Sequence, residues 1–564
     1  MLKKGKLRLV LAACREHCIL VIILCLAFIV RWYGIYFDYP GVNFVSDEVH
    51  NISFILKVIE SKSLDVPVLI YPALLSFLYL PAVILKIGFT ALKEGLLNVD
   101  ALKDYFIVEG MGRLYIIGRW YSVFFGTATV FLIYRAYGLI FRNRVSALAA
   151  SSAWAFSLVP VYLSHWGKVH SALIFFVVLS FYFALKFEKT KSLSPFYFSV
   201  VAAAAAFSVH YAGIMAGIFP ALALVTNRRI LNNGSALVAA ATYGVIAAFF
   251  YLVNFRGIIE MVKSVWAGYY GANEYVSLYA VGAAERFYYV FRDTFRLEPV
   301  WILLFGLIFA FNFVSFFKDR LRRYLLAGLG ANYLLMVSFI TAPGVSRHLA
   351  TFLALTIPFA AGFVAEWLLS KNVRAKIALM VVAGLIVPSA LVSLKWLSLL
   401  DSHTRLEAKA WLLNNIKKEE IVYSFDNYLD VPLSYEAARW QQQANGVYDS
   451  AKINYIVKNK DRFRYRGINL FYDLYEERYE YLGGVGTGYV VLHYWRADEK
   501  QRLITALTRY HDISLLKSFY PTADFNKAAA GIHDYINNPT DWKTVFLLEK
   551  GGPFVEIYKV GKKI

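Results

Sequence analysis

Long apolar segments separated by short polar ones occupy most of this chain between residues 16 and 397. A helix needs roughly 20 apolar residues to cross the hydrocarbon core of a bilayer. The pattern therefore predicts about eleven membrane-spanning helices. We expect them at 16–37, 114–140, 144–163, 171–187, 195–209, 212–226, 235–255, 299–317, 324–342, 349–369 and 376–397.

Lysine and arginine are distributed unevenly among the connecting loops. With the N-terminus inside, every inner loop is basic, whereas the short outer loops contain few basic residues beyond Lys168 and Arg347. Basic residues favour cytoplasmic loops. The inner loops are centred at 142–144, 186–191, 228–229, 318–323 and 371–376.

One apolar segment, 68–90, is long enough to span but would reverse this orientation. It also contains Pro72 and Pro81, which interrupt a helix. We therefore interpret 38–113 as one long outer loop whose helices lie along the membrane. A second large outer loop is predicted at 256–298, and its length is typical of a functional lid.

The segments 195–209 and 212–226 are short for membrane spans. At about 1.5 Å per residue they reach ~21–22 Å, less than the ~30 Å hydrocarbon core. Two short helices meeting at His210 and Tyr211 would place this dipeptide in a cavity below the outer surface. A single broken helix is the alternative, and it would reverse the sidedness of all later spans.

After residue 397 the sequence becomes that of a soluble domain. Strands are predicted at 421–424 and 488–493, and a terminal hairpin is predicted from 544–548 and 554–560. The division is thus a membrane domain at 1–397 and a soluble α/β domain at 398–564. An odd number of spans places the second domain outside the cell.

The composition agrees with a polytopic membrane protein. Of the 564 residues, 59% are hydrophobic and 17% are charged, whereas a soluble domain is about half apolar and a quarter charged. The net charge of +20 falls largely in short loops, so it indicates orientation in the membrane rather than nucleic-acid binding. The three cysteines all lie within the first 25 residues, which excludes a disulfide framework in the soluble domain.

Asp47 and Glu48 follow the first predicted span directly. Two adjacent carboxylates at a membrane surface can act as a general base or hold a divalent cation. His170 is a further candidate ligand, and Mg, Mn and Zn are the candidate metals. A solvated acidic loop is the alternative interpretation.

Several cationic or hydrogen-bonding residues lie near the outer ends of the predicted spans. Lys168 and His170 share one short outer loop, and Arg347 and His348 precede a late span. An arginine suits a phosphate group bidentately. Anchoring to lipid head groups and simple packing are the alternatives. The candidate phosphate-binding residues are Arg119, Lys168, His170, His210, Tyr211, Arg347 and His348.

The order of four motifs resembles the GT-C superfamily of integral-membrane glycosyltransferases, in particular the protein O-mannosyltransferase and lipid A aminoarabinose transferase branch. An Asp-Glu pair lies in the first outer loop, and a proline-containing entry to a surface helix follows at 71–74. Next come an Arg-x-x-Ser-x-x-x-Gly helix start at 119–126 and a basic pair at 347–348, before a span with Pro358. The chain departs from the family pattern at His210, where a lysine is common, and at 164–170, which lacks the usual acidic residue.

The resemblance implies a donor sugar linked to polyprenyl phosphate and a transfer with inversion at the outer face of the membrane. Asp47 would act as the general base, and Glu48 would orient it or bind a cation. Arg347, with Lys168, His170 or His210, would stabilise the departing phosphate.

The sequence as a whole predicts a polytopic α-helical membrane protein with about eleven spans, GT-C-like, with a C-terminal extracytoplasmic α/β domain. The expected partners are a polyprenyl-phosphate sugar, a saccharide, lipid or protein acceptor, and the lipid bilayer. A sequon at Asn51 beside the proposed site favours the plasma membrane of a prokaryote. A transporter or flippase of lipid-linked saccharides is the alternative function.

Overall fold

The structure is a computed structural model that describes most of the chain. The described residues are 18–39, 48–64, 71–96, 98–108, 110–141, 143–253, 255–256, 259, 282–339, 346–417, 420–424, 434–444, 451–463, 469–472, 487–495, 497–523, 539 and 541–563. They form two compact units, each described by itself. The first unit contains Met1–Ile35, His50–Pro81 and Ile117–Leu394, and the second contains Tyr36–Val49, Ala82–Ile116 and Lys395–Ile564.

Helices predominate up to Ser398. In chain order these are α1 (Cys18–Trp32), α2 (Glu48–Ser61), α3 (Leu74–Lys93), α4 (Val99–Lys103), a π-helix (Asp104–Val108), α5 (Gly112–Phe141), α6 (Arg144–Phe156), α7 (Leu158–Leu163), α8 (His170–Thr190), α9 (Leu193–Val209), a 3₁₀ helix (Tyr211–Gly217), α10 (Ile218–Thr226), α11 (Asn233–Leu252), α12 (Ala283–Leu297), α13 (Pro299–Lys318), α14 (Arg320–Phe339), a 3₁₀ turn (Ser346–Leu349), α15 (Ala350–Ser370) and α16 (Ala375–Ser398).

Six helices of the described chain are long and apolar enough to cross a membrane. They become seven if α12 and α13, which meet at a bend of 119°, form one broken span. The chain is therefore a multi-pass membrane protein, while the predicted number of eleven spans stays a prediction. The short helices α9 and α10 are separated at His210, whose backbone is extended, so the predicted break is confirmed.

Helix α3 corrects one expectation. Pro81 lies inside this continuous 20-residue helix and does not interrupt it. A proline removes only one helical hydrogen bond, and neighbouring groups can compensate for it in apolar helices. The length and hydropathy of α3 also suit a span, so its orientation along the membrane stays a prediction. The predicted outer loop 256–298 lies mostly outside the described residues.

Small residues and buried polar bonds hold the helices of the first unit together. The hydroxyls of Ser180 in α8 and Ser199 in α9 each donate to the other's backbone carbonyl, at 3.0 and 2.9 Å. The Tyr137 hydroxyl of α5 donates to the Leu355 carbonyl of α15 at 2.5 Å. Interhelical hydrogen bonds of this kind add specificity where the lipid is as apolar as the side chains.

A buried carboxylate connects three helical segments of the first unit. Glu298 lies between α12 and α13 and is fully buried. It accepts hydrogen bonds from the Leu158 amide at 3.1 Å and from the Ser389 hydroxyl at 2.8 Å. One side chain therefore joins the start of α7, the α12–α13 bend and helix α16.

The second unit is built on a five-stranded sheet. Its later elements are α17 (Thr404–Asn415), β1 (Ile421–Ser424), α18 (Tyr435–Ala444), α19 (Ala451–Lys458), α20 (Lys460–Phe463), β2 (Asn469–Tyr472), β3 (Gly488–Tyr494), α21 (Ala497–Tyr510), β4 (His511–Phe519), α22 (Trp542–Leu547) and β5 (Phe554–Lys562). The strand order is β2-β1-β3-β5-β4, with β1 parallel to β2 and β3, and β5 antiparallel to β3 and β4.

The predicted terminal hairpin is wrong. Residues 542–547 form helix α22, and β5 is inserted between β3 and β4. The short apolar sequence before β5 suits a helix or a strand equally, and periodicity alone does not separate the two. The predicted domain boundary at 397 stays a prediction. The compact units divide after Leu394, and the second unit also contains two earlier segments of the chain.

The second unit also buries a carboxylate in β5. Glu556 is fully buried and accepts hydrogen bonds from Lys500 Nζ at 2.8 Å and from the hydroxyls of Tyr520 and Tyr558. Burial alone would raise the pKa of this carboxyl, but these donors outweigh it and hold the pKa below its usual value. Glu556 is thus ionised and links β5 to α21.

Replacing Lys500 should destabilise this part of the sheet. In Lys500→Met the carboxylate of Glu556 loses its ammonium partner, at a cost of about 1–3 kcal/mol. The depressed folded pKa makes Glu556 stabilising above its unfolded pKa of about 4.3, and this contribution disappears as pH falls through the folded value. The variant should lose it at a higher pH, because its folded pKa is less depressed. Hydrogen exchange of β3 and β5 in the full chain measures both effects.

Arg502→Met is the matched control. Arg502 lies on the same helix but is 59% exposed, and its ion pair with Asp498 spans 3.7 Å. Exposed pairs contribute little, so exchange should not change. Equal effects of the two substitutions would refute the role given to Glu556.

Candidate functional site

Helix α5 carries small residues at every fourth position on one face. A Cβ on Gly118 would lie 2.9 Å from the Cα of Gly167, and one on Gly126 would overlap the Ser164 hydroxyl. Between them, the Ser122 hydroxyl donates to the Trp166 carbonyl at 2.5 Å. The Arg-x-x-Ser-x-x-x-Gly motif therefore lets segment 164–167 lie directly on the helix.

Further bonds fix the same segment. The ring nitrogens of His165 lie 2.8 Å from the Val161 carbonyl oxygen and 2.7 Å from that of Tyr33. The Ser171 hydroxyl donates to the Leu163 carbonyl at 3.0 Å. The turn between α7 and α8 is therefore anchored on both sides, and it determines where Lys168 and His170 lie.

Five of the predicted phosphate-binding residues converge in the first unit. The ring of His170 lies 5.8 Å from that of His210 and 6.2 Å from that of His348, measured between centroids. Arg347 and Lys168 lie close enough to His170 to interact with it electrostatically. We call these five residues the cationic cluster. They come from three separate parts of the chain, which the fold brings together.

His210 is held by its neighbours at the α9 break. Its Nδ1 accepts a hydrogen bond from the Ala212 amide at 3.0 Å. Its ring packs against Tyr71 at 5.2 Å and Tyr211 at 4.0 Å. Tyr211 is 42% exposed, so it borders the cluster rather than being enclosed with it.

His170 has an unusual environment for a buried imidazole. It is 2% exposed, and within the described structure neither ring nitrogen makes a hydrogen bond. It is also the first residue of α8, whose N-cap, Val169, provides no side-chain hydrogen bond. Buried polar groups are normally satisfied, and helix N-termini attract anions. Together with four cationic or imidazole neighbours, these features indicate an anion-binding site.

Two further arginines, Arg119 in α5 and Arg31 in α1, are buried and donate hydrogen bonds to backbone carbonyls. Arg119 is buried and donates to the Ile35 carbonyl at 2.8 Å. Arg31 is not among the predicted site residues, yet it is fully buried and packs beside Gly126. Its Nη1 donates to the carbonyls of Ala27 and Ala155 at 3.0 and 2.9 Å. An arginine within the predicted first span, 16–37, was the available signal.

The predicted acidic part of the site is less well defined. Asp47 lies outside the described residues, and Glu48 begins α2, is 1% exposed and belongs to the second unit. Across the described ranges, no group of three or more His, Cys, Asp or Glu side chains is arranged to hold a metal ion. The metal site of Asp47, Glu48 and His170 stays a prediction. The cations around His170 suit an anion better than a divalent metal.

Comparison with known proteins places this geometry in context. The family described as dolichyl-phosphate-mannose-protein mannosyltransferase matches residues 112–255, which include α5, segment 164–170 and His210. No protein of curated function matches the sequence significantly.

Solved structures are similar in fold at low sequence identity. ArnT from Cupriavidus metallidurans in the apo state has a TM-score of 0.50 and 11% identity, over 95% of this chain and 97% of that one. The S. cerevisiae Pmt1-Pmt2 protein O-mannosyltransferase complex has a TM-score of 0.31 and 18% identity, over 44% of this chain and 33% of that one. AglB from Archaeoglobus fulgidus, an oligosaccharyltransferase, has a TM-score of 0.45 and 12% identity, over 72% and 62%. The chain thus spans less than two thirds of the yeast and archaeal chains.

The predicted resemblance to the GT-C superfamily of membrane glycosyltransferases is confirmed by these comparisons. The ArnT likeness concerns the fold, and the family match covers the region that builds most of the cationic cluster.

Adding one methyl group to α5 tests whether its close contact with segment 164–170 stabilises the protein. We expect Gly126→Ala to push segment 164–170 away from α5, and overpacking of this kind costs typically about 1–3 kcal/mol. Thermal unfolding in nanodiscs should occur at a lower temperature. Gly138→Ala is the matched control on the same helix, because its Cβ would meet only Ala147 Cβ, at 3.6 Å. If the two variants unfold alike, the close approach does not hold the segment.

Proposed function

We propose that this protein is a glycosyltransferase that moves a sugar from a polyprenyl-phosphate-linked donor to an acceptor at the outer face of the membrane. The observation that carries the proposal is the cationic cluster around His170. It gathers Lys168, His210, Arg347 and His348 around a buried imidazole that lacks a hydrogen-bond partner in the described structure.

The cluster suits a phosphate that gains negative charge during the reaction. Cleavage of a sugar–phosphate bond leaves the electron pair on the phosphate oxygen. Cationic groups fixed in advance stabilise that charge more in the transition state than in the ground state. The burial of Lys168, His170 and His210 strengthens the effect, because electrostatic interactions grow as the local dielectric constant falls.

Each group has a distinct part in this proposal. Arg347 is partly exposed at the start of α15 and can contact phosphate oxygens bidentately. Lys168 adds a compact positive charge, and His170 donates a hydrogen bond at the N-terminus of α8. A neutral imidazole donates from one ring nitrogen only, so His170 would give a single hydrogen bond. The rings of His210 and His348 border the same space.

Asp47 is the proposed general base. It would take the proton from an acceptor hydroxyl while that oxygen attacks the anomeric carbon. The bond from this carbon to the phosphate oxygen breaks, the sugar inverts, and polyprenyl phosphate leaves. Glu48 would orient Asp47. Support for these two roles comes from the sequence motif and from the GT-C resemblance.

A divalent cation held by Asp47 and Glu48 is a secondary proposal. Mg, Mn or Zn there would bind the carboxylates rather than His170, whose neighbours are cationic. Sugar transfer in excess chelator is the relevant measurement, and full activity under those conditions would exclude the metal.

Substitution of Asp47 should abolish sugar transfer without abolishing the binding of polyprenyl phosphate. We expect Asp47→Asn to abolish sugar transfer in nanodiscs, with a loss of at least about a hundredfold, while polyprenyl phosphate still binds. Amide and carboxylate have nearly the same shape, but only the carboxylate accepts a proton at neutral pH. Asp401→Asn, at an exposed position that is not among the proposed site residues, is the control. Unchanged transfer by Asp47→Asn would remove this residue from the reaction. Absence of transfer by the wild type, with lipid-linked saccharide still bound, would favour a transporter.

Substitution in the cationic cluster should instead weaken the binding of polyprenyl phosphate. Arg347→Ala removes a charge-assisted contact worth about 1.5–3 kcal/mol, so polyprenyl phosphate should bind at least about tenfold more weakly. The readout is binding of a fluorescent polyprenyl phosphate to protein in nanodiscs. Arg374→Ala is the matched control, since this arginine is exposed between α15 and α16. Equal affinities of the wild type and Arg347→Ala would leave Arg347 as a membrane anchor.

A further inference from the structure

The second unit contains a cavity of its own. Its volume is about 730 Å³, within the range of about 300–1,000 Å³ that is typical of small-molecule sites. Four strands contribute to it. Its lining includes Glu420, Tyr489, Asp512, Ser514, Lys559 and Gly561.

The cavity occupies one end of a sheet face. Tyr489, Lys559 and Ser514 are register partners across β3, β5 and β4, so they share a face. Farther along the same face, Val491 and Ile557 are partners and belong to the core formed with α17, α18 and α19. The cavity therefore begins where the helical cover of this face ends.

Gly561 lines the cavity without a side chain of its own. It is the register partner of Asp512, and a Cβ built on it would meet only the Asp512 carbonyl oxygen, at 3.9 Å. A side chain at this position has room and would occupy part of the cavity on the Asp512 and Lys559 side of its lining. This provides a way to narrow the cavity without disturbing the sheet.

The walls combine apolar residues with polar groups, some of which are fixed in advance. The Tyr489 hydroxyl donates to Glu420 Oε1 at 3.0 Å, and the Lys417 amide donates to Glu420 Oε2 at 2.8 Å. The hydrogen bond from the Lys417 amide lowers the pKa of Glu420, with a further contribution from Tyr489. Glu420 is therefore an ionised acceptor, and its contact with the hydroxyl holds the ring of Tyr489 in place.

The remaining polar groups of the lining include both hydrogen-bond donors and hydrogen-bond acceptors. Asp512 offers acceptors, Lys559 offers donors, and Ser514 offers a hydroxyl that does both. Asp512, Ser514 and Lys559 are exposed. A ligand with many hydroxyls satisfies such a wall, and the ring of Tyr489 can pack against the C–H face of a pyranose.

We propose that this cavity is a saccharide-binding site. The two carboxylates outnumber the single lysine, so the site should favour neutral or amino sugars over uronic acids. The proposal stands apart from the proposed glycosyl transfer, because binding to this cavity can be measured whether or not the chain transfers a sugar.

An oligosaccharide array tests the proposal with the full-length protein in nanodiscs. The array carries neutral, amino and acidic oligosaccharides, and affinities are then measured by calorimetry for cellobiose, a glucosamine disaccharide and a glucuronate disaccharide. We expect binding of neutral or amino sugars and weak or no binding of the glucuronate. Gly561→Leu should weaken binding at least about tenfold by obstructing the part of the cavity that Gly561 lines.

Lys562→Leu is the matched control. It adds the same side chain at the next position of β5, where the residue is exposed and does not line the cavity. Its affinities should equal those of the wild type. Should Gly561→Leu fail to fold in the calorimetric unfolding scan, Asp512→Asn replaces it, with an expected loss of about tenfold for the glucosamine disaccharide and less for cellobiose.

Two results would overturn the proposal. The first is that no saccharide on the array binds the wild type. The second is that saccharide binding survives unchanged in a folded Gly561→Leu or Asp512→Asn variant, which would place the binding site elsewhere. Loss of saccharide binding in Gly561→Leu, with binding of polyprenyl phosphate unchanged, distinguishes this site from the proposed catalytic one.

Discussion

The close approach of segment 164–170 to helix α5 is the contact on which the candidate site depends. Glycines at 118 and 126 leave room for it, and Ser122 bonds it to the helix. This contact positions Lys168 and His170 at the start of α8. Because apolar side chains gain little by leaving lipid for protein, shape and hydrogen bonds determine such contacts in a membrane. The close contact therefore requires a small side chain at each of these positions.

The second constraint is the free-energy cost of burying positively charged side chains. Moving a cation out of water is costly unless an opposite charge or hydrogen bonds compensate. His170 has cationic neighbours and, in the described structure, no hydrogen-bond partner of its own. A bound anion would give His170 a hydrogen-bond acceptor and would balance the neighbouring positive charge. The phosphate of the proposed donor is such an anion.

The sequence predicted the members of the cationic cluster but not their arrangement. Basic residues in outer loops contradict the charge rule for membrane proteins, so Lys168 and Arg347 were recognisable. The proximity of His170 to both His210 and His348 depends on tertiary packing, and no local pattern records it. Arg119 was predicted to bind the phosphate, and this stays a prediction; its hydrogen bond to the Ile35 carbonyl depends on tertiary packing that the sequence does not reveal. The role of Ser122 and Gly126 as packing residues also became visible only when segment 164–167 was placed on α5.

Secondary structure was predictable where one physical signal dominates. Long apolar segments indicated the helices, and the short length of 195–209 and 212–226 revealed the break at His210. Prediction failed where two signals conflict: Pro81 is tolerated inside α3, and the apolar residues before β5 form α22 instead of a strand. Segments 36–49 and 82–116 belong to the second unit, which depends on long-range contacts that composition does not reveal.

The most direct test of this account is a cryo-electron microscopy structure of the full-length protein in nanodiscs with polyprenyl phosphate. The account predicts phosphate density within hydrogen-bonding distance of the His170 ring and of Arg347, at the N-terminus of α8. Phosphate density elsewhere in the protein, with the surroundings of His170 unchanged, would contradict it.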